Sequence, residues 1–162
     1  MIVLYVGQKM RKTLLLISLI GISSLFGAEI TEQDVELLIQ EISDASNAKD
    51  IATLKKVSSQ TFSVVFTINT PEGKKKIEKN REQYLQLLSA FFSKVEEYEY
   101  THKTESIHIS DNKTSSIATV EVTEKIKIRS EQSGGTATQK YFISTNQDGG
   151  LQVDQVIIFP QK

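Results

Sequence analysis

The residues of this chain best suited to acid–base chemistry are its tyrosines and a few carboxylates in the C-terminal half. The tyrosines of that half are Tyr84, Tyr98, Tyr100 and Tyr141, and the carboxylates that could act with them are Glu121, Glu124 and Asp154. A carboxylate in an apolar cavity can exchange protons near neutral pH, while a tyrosine hydroxyl can polarise a carbonyl group. Asp154 alternates in phase with Val156 and Ile158 and comes nearest to an inward position. No acid is expected to lie isolated between inward apolar neighbours. Exposed acids and tyrosines packed through their rings are the commoner arrangement.

The two histidines, His102 and His108, are six residues apart on one predicted strand and are therefore expected on the same face. At about 3.3 Å per residue they would lie roughly 20 Å apart, too far to bind one tetrahedral metal ion. The chain has no cysteine, which excludes disulfides and thiol chemistry. It also has no Walker loop, GxGxxG, GxSxG or HExxH motif. We therefore predict no metal site and no cofactor.

One basic cluster, Lys74-Lys75-Lys76, is placed by the sequence near the start of a predicted helix, where backbone N–H groups favour anions. It is a candidate patch for an anionic ligand or an acidic partner. Glu72 and Glu78 dilute its charge, so a solvated surface is the favoured interpretation. The chain has 19 Lys+Arg and 20 Asp+Glu, and three of the basic residues fall within residues 1–28, so the remainder carries a formal charge of −4. This mildly acidic balance argues against nucleic-acid binding.

Residues 1–28 have the layout of a secretory signal peptide. Met10-Arg11-Lys12 is followed by an apolar run to Phe26 and by the small residues Gly27 and Ala28. The run is shorter than the roughly 20 residues that cross a bilayer as a helix. We therefore expect a cleaved leader, with translation starting at Met10, and an exported (periplasmic or secreted) domain at residues 29–162. An uncleaved anchor is the alternative.

Helices are predicted first along this domain. Thr31 precedes Asp34 at capping-box spacing, ahead of apolar residues at helical intervals, and Asp50 can cap a short second helix. Residues 61–68 are β-branched and aromatic and are predicted to form a strand. Thr70-Pro71 is then interpreted as the start of the longest amphipathic helix, which runs to Val95.

Strands follow the helices. Their predicted ranges are residues 98–109, 116–128, 138–145 and 151–159, separated by turns at Asp111-Asn112-Lys113, Ser133-Gly134-Gly135 and Asp148-Gly149-Gly150. Apolar and polar residues alternate along the second of these strands, which predicts a sheet with one apolar face. The fold class is therefore α+β, with the long helix across the apolar face of an antiparallel sheet.

Three segments carry a resemblance to a known family. They are Lys49-Asp50-Ile51 with Thr61-Phe62 after it, Arg81-Glu82-Gln83-Tyr84-Leu85, and Ile107-His108-Ile109 leading to Ala118-Thr119-Val120. With the order of elements, they resemble the nuclear transport factor 2-like (cystatin-like) superfamily, in particular its exported bacterial single-domain branch. The resemblance spans residues 29–162 and implies a cone-shaped roll in which helices and a curved sheet enclose a pocket. The pocket-lining residues it implies are Tyr84, Leu88, Phe91, Phe92, Tyr98, Tyr100, Tyr141 and Asp154.

Two functions are consistent with such a pocket. The leading hypothesis is a non-enzymatic exported domain that binds a small apolar or amphipathic ligand, or a protein partner, as a homodimer. The alternative is a cofactor-independent isomerase or dehydratase. An inward carboxylate within hydrogen-bond reach of a tyrosine hydroxyl would favour the enzyme, whereas a cavity filled by Phe91, Phe92 and aliphatic residues would favour a structural role. An inhibitor or immunity protein is a third class that the sequence leaves open.

Overall fold

A computed structural model describes residues 29–160; the predicted signal peptide lies outside the described residues. Within this range three helices pack on one six-stranded sheet. The helices are α1 (Glu32–Asn47), α2 (Ile51–Val57) and α3 (Arg81–Phe92). The strands are β1 (Ser58–Thr70), β2 (Gly73–Asn80), β3 (Glu97–Ile109), β4 (Ser115–Ile128), β5 (Glu131–Thr145) and β6 (Leu151–Pro160). The predicted α+β class is confirmed. None of the helices in residues 29–160 is long and apolar enough to cross a membrane.

The sheet is mixed rather than wholly antiparallel. Its strand order is β2-β1-β6-β5-β4-β3, and β1 runs parallel to β6 while every other neighbouring pair is antiparallel. Strands β3 to β6 form a meander through short turns, which forces antiparallel pairing. Strand β1 comes much earlier in the chain and joins the meander beside its last strand, so no tight turn sets its direction.

The predicted helix start at Thr70-Pro71 is wrong. Thr70 pairs with Gly73 across a two-residue turn, and the Thr70 hydroxyl donates a hydrogen bond to the Gly73 carbonyl oxygen at 2.8 Å. Gly73 has φ of +126°, a value that only glycine adopts readily. Proline suits position i+1 of a β-turn as well as the first turn of a helix, because both need φ near −65°. The chain therefore forms a β1–β2 hairpin, and the helix begins eleven residues later, at Arg81.

The turn predicted at Ser133-Gly134-Gly135 is also misplaced. The β4–β5 hairpin turns at Arg129 and Ser130, whose φ values are +50° and +71°, so both glycines lie inside β5. Two successive residues with positive φ fit the twist of a tight hairpin, and glycine is not obligatory there. The turn at residues 148–150 is confirmed: the Asn146 side-chain oxygen accepts from the backbone N–H groups of residues 148 and 150.

Both predicted helix caps in the N-terminal part are confirmed. Thr31 Oγ1 accepts from the Asp34 N–H at 3.2 Å, and the Asp34 carboxylate accepts from the Thr31 N–H at 3.0 Å. Asp50 accepts from the N–H groups of residues 52 and 53 at the start of α2. The inner face of α1 packs its apolar side chains against the sheet, where they are buried (Val35, Leu38, Ile39, Ile42 and Ala45). Helix α1 is therefore the core helix, a role that the sequence had assigned to the segment after residue 70.

A β-bulge places the two histidines on opposite faces, in contrast to the predicted shared face. The β3–β4 register shifts between Thr104 and Ser106, which leaves Glu105 as an extra residue. His102 lies opposite buried Val122, whereas His108 lies opposite Ile117, which is exposed. An extra residue inverts the alternation of side chains beyond it, so a six-residue spacing no longer means a common face.

Candidate functional site

A cavity of about 490 Å³ lies between α3 and the inner face of the sheet. Its volume is in the range of small-molecule sites. The lining is mainly apolar and aromatic. Seven of the eight side chains assigned to the pocket from the sequence line it: Tyr84, Leu88, Phe91, Phe92, Tyr98, Tyr100 and Tyr141. Leu87 also lines it and is 49% exposed, so the cavity reaches the solvent beside α3.

Helix α3, which roofs the cavity, is held at both ends. Asn80 and Gln83 form a capping box at its start. The Arg81 guanidinium donates to Ser58 Oγ at 3.1 Å, to Gln60 Oε1 at 3.1 Å and to the carbonyl of Lys55, which ties this end to the α2–β1 junction. At the other end Lys49 Nζ donates to the Val95 carbonyl at 2.6 Å.

The middle of the same helix is not fully packed. Phe92 is its one buried residue, while Tyr84, Leu85, Leu88 and Phe91 are half-buried and face the core. A helix that is fixed at its ends but loosely packed in its middle can cover a cavity without collapsing into it. The cavity is therefore open, and Phe91, Phe92 and the aliphatic side chains line it without filling it.

Aromatic rings surround the cavity. The Tyr84 ring lies 5.6 Å from that of Phe62 and 6.3 Å from that of Phe66. The Tyr98 ring meets Phe91 edge-on at 5.7 Å and Phe92 at 5.4 Å. Ring pairs at these distances and tilts are the favourable arrangements of aromatic side chains.

A chain of hydroxyl groups lies on the sheet side of the cavity. The Tyr141 hydroxyl donates to Gln139 Oε1 at 2.6 Å, so the 3.0 Å contact between the Tyr100 and Tyr141 hydroxyls has Tyr100 as the donor. All three side chains are buried. The amide NH2 of Gln139 has no hydrogen bond among the described residues. The chain therefore ends in a neutral amide whose donors remain available to a ligand.

The backbone of Tyr100 is fixed by α1. The Tyr100 N–H donates to Asn47 Oδ1 at 2.7 Å and its carbonyl accepts from Asn47 Nδ2 at 2.9 Å. Strand β3 is an edge strand, so this side-chain amide replaces a missing neighbouring strand. The sequence showed Asn47 only as the end of a helix, because a contact between residues 47 and 100 leaves no local pattern.

Glu124 is the carboxylate of the cavity. Its Oε1 accepts from the Tyr98 hydroxyl at 2.6 Å, and Oε2 has no hydrogen bond within residues 29–160. The expectation of no inward acid was wrong: Glu124 shares the strand phase of Val120 and Val122, both fully buried, and this spacing could have identified it. Tyr84 also lines the cavity, and its hydroxyl has no hydrogen-bond partner among the described side chains.

Asp154 does not line the cavity, although its alternation had suggested that it would. It is the extra residue of a bulge in β6, since Ile143 pairs with Val153 and Phe142 with Gln155. The bulge brings Val153 and Val156 to the cavity instead. Glu121 lies on the opposite phase of β4 from Glu124.

The lysine cluster is not at a helix N-terminus. Lys74, Lys75 and Lys76 are exposed on the edge strand β2, so the helix-dipole argument for an anion patch no longer applies. Among the described residues no group of three or more His, Asp and Glu side chains is arranged to hold a metal ion.

Burial keeps the cavity tyrosines protonated. Removal from water is the main cause that raises the pKa of each of Tyr84, Tyr98, Tyr100 and Tyr141, because a phenolate is poorly solvated there. For Tyr98 the neighbouring Glu124 charge raises the pKa further. For Tyr141 the pKa is raised to about 12. All four hydroxyls therefore act as neutral hydrogen-bonding groups near pH 7.

Neither a family model nor a curated protein matches the chain by sequence. Solved structures do match it. A nuclear transport factor 2-like superfamily protein from Salmonella enterica superposes with a TM-score of 0.62 at 15% identity, covering 80% of this chain and 91% of the other. This is the nuclear transport factor 2-like fold.

Two further structures with the nuclear transport factor 2-like fold have names that refer to enzymes. A candidate scytalone dehydratase from Novosphingobium aromaticivorans matches with a TM-score of 0.64 at 12% identity, over 80% of this chain and 83% of that one. A ketosteroid isomerase-like protein from Erwinia carotovora atroseptica matches with a TM-score of 0.62 at 9% identity, over 82% and 99%. At these identities the likeness establishes the nuclear transport factor 2-like fold, and function must be argued from the cavity itself.

Proposed function

We propose that this protein is an exported domain that binds one small, mainly apolar molecule in the cavity beneath α3. The observation that carries the proposal is the cavity itself, about 490 Å³ of aromatic-lined space that the surrounding side chains leave unfilled. A few polar groups on its sheet side can orient a ligand, which is the usual composition of a small-molecule site.

The neutral, apolar dye N-phenyl-1-naphthylamine tests this proposal, because its fluorescence rises when it leaves water. We expect saturable binding to the purified protein with one site per chain. Ala137 is a small wall residue of the cavity, and replacing it with phenylalanine (Ala137→Phe) fills part of the space. This variant should bind the dye at least about tenfold more weakly, the loss expected when a well-fitted apolar group is displaced.

The matched control is Ala90→Phe, which adds the same ring at an exposed position of α3 outside the cavity lining. It should bind the dye like the parent protein. Equal weakening by the two substitutions, or no weakening by Ala137→Phe, would show that the dye binds elsewhere and would refute the proposal. Unchanged far-ultraviolet circular dichroism verifies that each variant is folded.

Export is the part of this proposal that the sequence pattern of residues 10–28 supports. Ile30, close to the end of that segment, is buried and its N–H donates to the Lys113 carbonyl at 3.0 Å. Cleavage after Ala28 would keep this residue and its contacts. The mass of the protein recovered from the exported fraction should correspond to a chain that starts at Glu29, and a mass that retains residues 10–28 would contradict cleavage.

A second candidate function is cofactor-free proton transfer, as in an isomerase or dehydratase. It is favoured by the 2.6 Å hydrogen bond between Tyr98 and Glu124 inside the cavity. Glu124 would remove a proton from a carbon next to a carbonyl and return it to another carbon, while the Tyr84 hydroxyl donates to the carbonyl oxygen. The enzyme-like names of two matched structures belong to those proteins and add support at the level of fold.

Isomerisation of a small cyclic β,γ-unsaturated ketone to its conjugated form, followed by ultraviolet absorbance, tests this candidate. Glu124→Gln should abolish the reaction, and Glu121→Gln, on the opposite phase of the same strand, should retain it. A reaction that survives in Glu124→Gln would exclude Glu124 as the base.

A further inference from the structure

Among the described residues that line the cavity there is one carboxylate and no basic side chain. Glu124 is the only ionisable side chain among its lining residues apart from the four tyrosines, which stay neutral near pH 7. The lining contains no lysine, arginine or histidine. A carboxylate beside an apolar cavity without a neighbouring cation repels anions and attracts cations, more strongly than it would in water.

The geometry around Glu124 leaves this charge available. Tyr98 occupies Oε1 with a single neutral hydrogen bond, whereas Oε2 is unpaired within the described residues. The fully buried side-chain polar atoms without a partner in residues 29–160 are Thr67 Oγ1 and Ser116 Oγ. Glu124 Oε2 is therefore not sealed into the protein.

The rings beside the carboxylate also suit a cation. Tyr98 and Tyr100 lie with their ring centres 6.4 Å apart, and Phe91 and Phe92 both contact the Tyr98 ring. Aromatic faces attract ammonium groups within about 6 Å, and the attraction is stronger where water is excluded. The carboxylate and these rings thus line the same cavity, where both favour a positively charged group.

We infer that the ligand of this cavity is a cationic amphiphile, an amine whose ammonium group pairs with Glu124 and whose apolar body fills the space under α3. The inference rests on the proposed binding function and specifies its ligand class. Fatty acids and other apolar anions are disfavoured by the same arrangement, because Glu124 has no cation beside it to offset the repulsion.

Three compounds with one apolar body and different head groups test the charge preference at pH 7. They are 1-adamantylamine, 1-adamantanol and 1-adamantanecarboxylate, each used to displace N-phenyl-1-naphthylamine from the protein. We expect the amine to displace the dye at a concentration about tenfold lower than the alcohol, because charge-assisted hydrogen bonds are stronger than neutral ones. The carboxylate should be the weakest of the three.

Glu124→Gln removes the charge with almost no change in shape. In this variant the amine should lose most of its advantage over the alcohol, while the affinity of the alcohol changes little; the aromatic rings retain the remainder. Glu121→Gln, the matched control on the outer phase of β4, should keep the order seen in the parent protein. Since the order of the three compounds in the parent protein is measured without any substitution, a variant that fails to fold does not remove the test.

The possible failures are distinguishable. If the dye binds but the alcohol or the carboxylate competes as well as the amine, the charge inference is overturned and the binding function stands. The same holds if the dye binds and none of the three compounds displaces it. If the dye does not bind at all, the proposed function is refuted and the charge inference with it.

Discussion

Replacing Tyr141 with phenylalanine tests the hydroxyl chain behind the cavity most directly. The Tyr141 hydroxyl is the middle member: it accepts from Tyr100 and donates to Gln139. Tyr141→Phe removes one oxygen and breaks both hydrogen bonds, leaving the Tyr100 hydroxyl and the Gln139 carbonyl oxygen without partners. Tyr100 is 6% exposed and Gln139 8% exposed, so bulk water replaces these bonds poorly.

The expected loss follows from the number of stranded groups. A buried polar group without a partner costs about 1–3 kcal/mol. Water inside the neighbouring cavity can satisfy part of this need. We therefore expect Tyr141→Phe to lower the free energy of unfolding by about 2–3 kcal/mol. Tyr100→Phe removes the end of the chain and breaks only one hydrogen bond, so about 1 kcal/mol is expected.

Urea unfolding followed by far-ultraviolet circular dichroism measures both losses, provided the dependence on urea is unchanged. The double variant Tyr100→Phe/Tyr141→Phe completes the cycle. It should be no less stable than Tyr141→Phe alone, since the second substitution removes a hydroxyl that the first one had stranded. Additive losses in the double variant, or a larger loss for Tyr100→Phe than for Tyr141→Phe, would refute this description of the chain.

Three further predictions concern the fold. Gly134→Ala should destabilise by about 1–3 kcal/mol, because a Cβ there would lie 2.2 Å from the Glu124 carbonyl oxygen, whereas Gly135→Ala meets nothing within 4 Å and should change stability little in the same urea assay. Thr31→Ala should lower the free energy of unfolding by about 1 kcal/mol. Because the Thr31 hydroxyl lowers the pKa of Asp34, an NMR titration of this variant should find that pKa closer to its ordinary value. The free energy of unfolding should stay unchanged up to about pH 10 and should fall between there and pH 12, because the unfolded chain releases tyrosine protons that the native cavity retains. A thermal melting temperature that stays constant from pH 9 to 11.5 would contradict the raised tyrosine pKa values.

Locally encoded features could be predicted from the sequence, and features set by pairing could not. Thr31 and Asp50 cap helices through hydrogen bonds to residues at most three positions away, so their patterns are sufficient evidence. Thr70-Pro71 is compatible with a helix start and with a turn, and the choice depends on the pairing of β1 with β2. The lysines that looked like part of a helix are instead the polar edge of a sheet.

The site shows the same division. Seven of the residues that line the cavity were implied by the family resemblance, in which helices and a curved sheet enclose a pocket. Glu124 could have been found by extending the phase of Val120 and Val122 by one more step. The bulges at Glu105 and Asp154 could not have been found from the sequence. Each adds one residue to its strand and so reverses which side chains face the core, and this shows only when the partner strand is known. The cavity volume depends on how α3 is held at its ends, which is a property of the folded molecule.

The two outer strands have a consequence for solubility. Strand β2 places Lys74, Lys75, Lys76 and Lys79 along one edge of the sheet. At the other edge, β3 contains the bulge at Glu105, and the backbone of Tyr100 is hydrogen-bonded to the Asn47 side chain. Like charges, irregular pairing and occupied backbone groups each discourage another polypeptide from adding to a sheet. Both edges of the sheet therefore disfavour pairing with strands from other molecules. The protein is thus expected to resist fibril formation even though its interior contains a cavity.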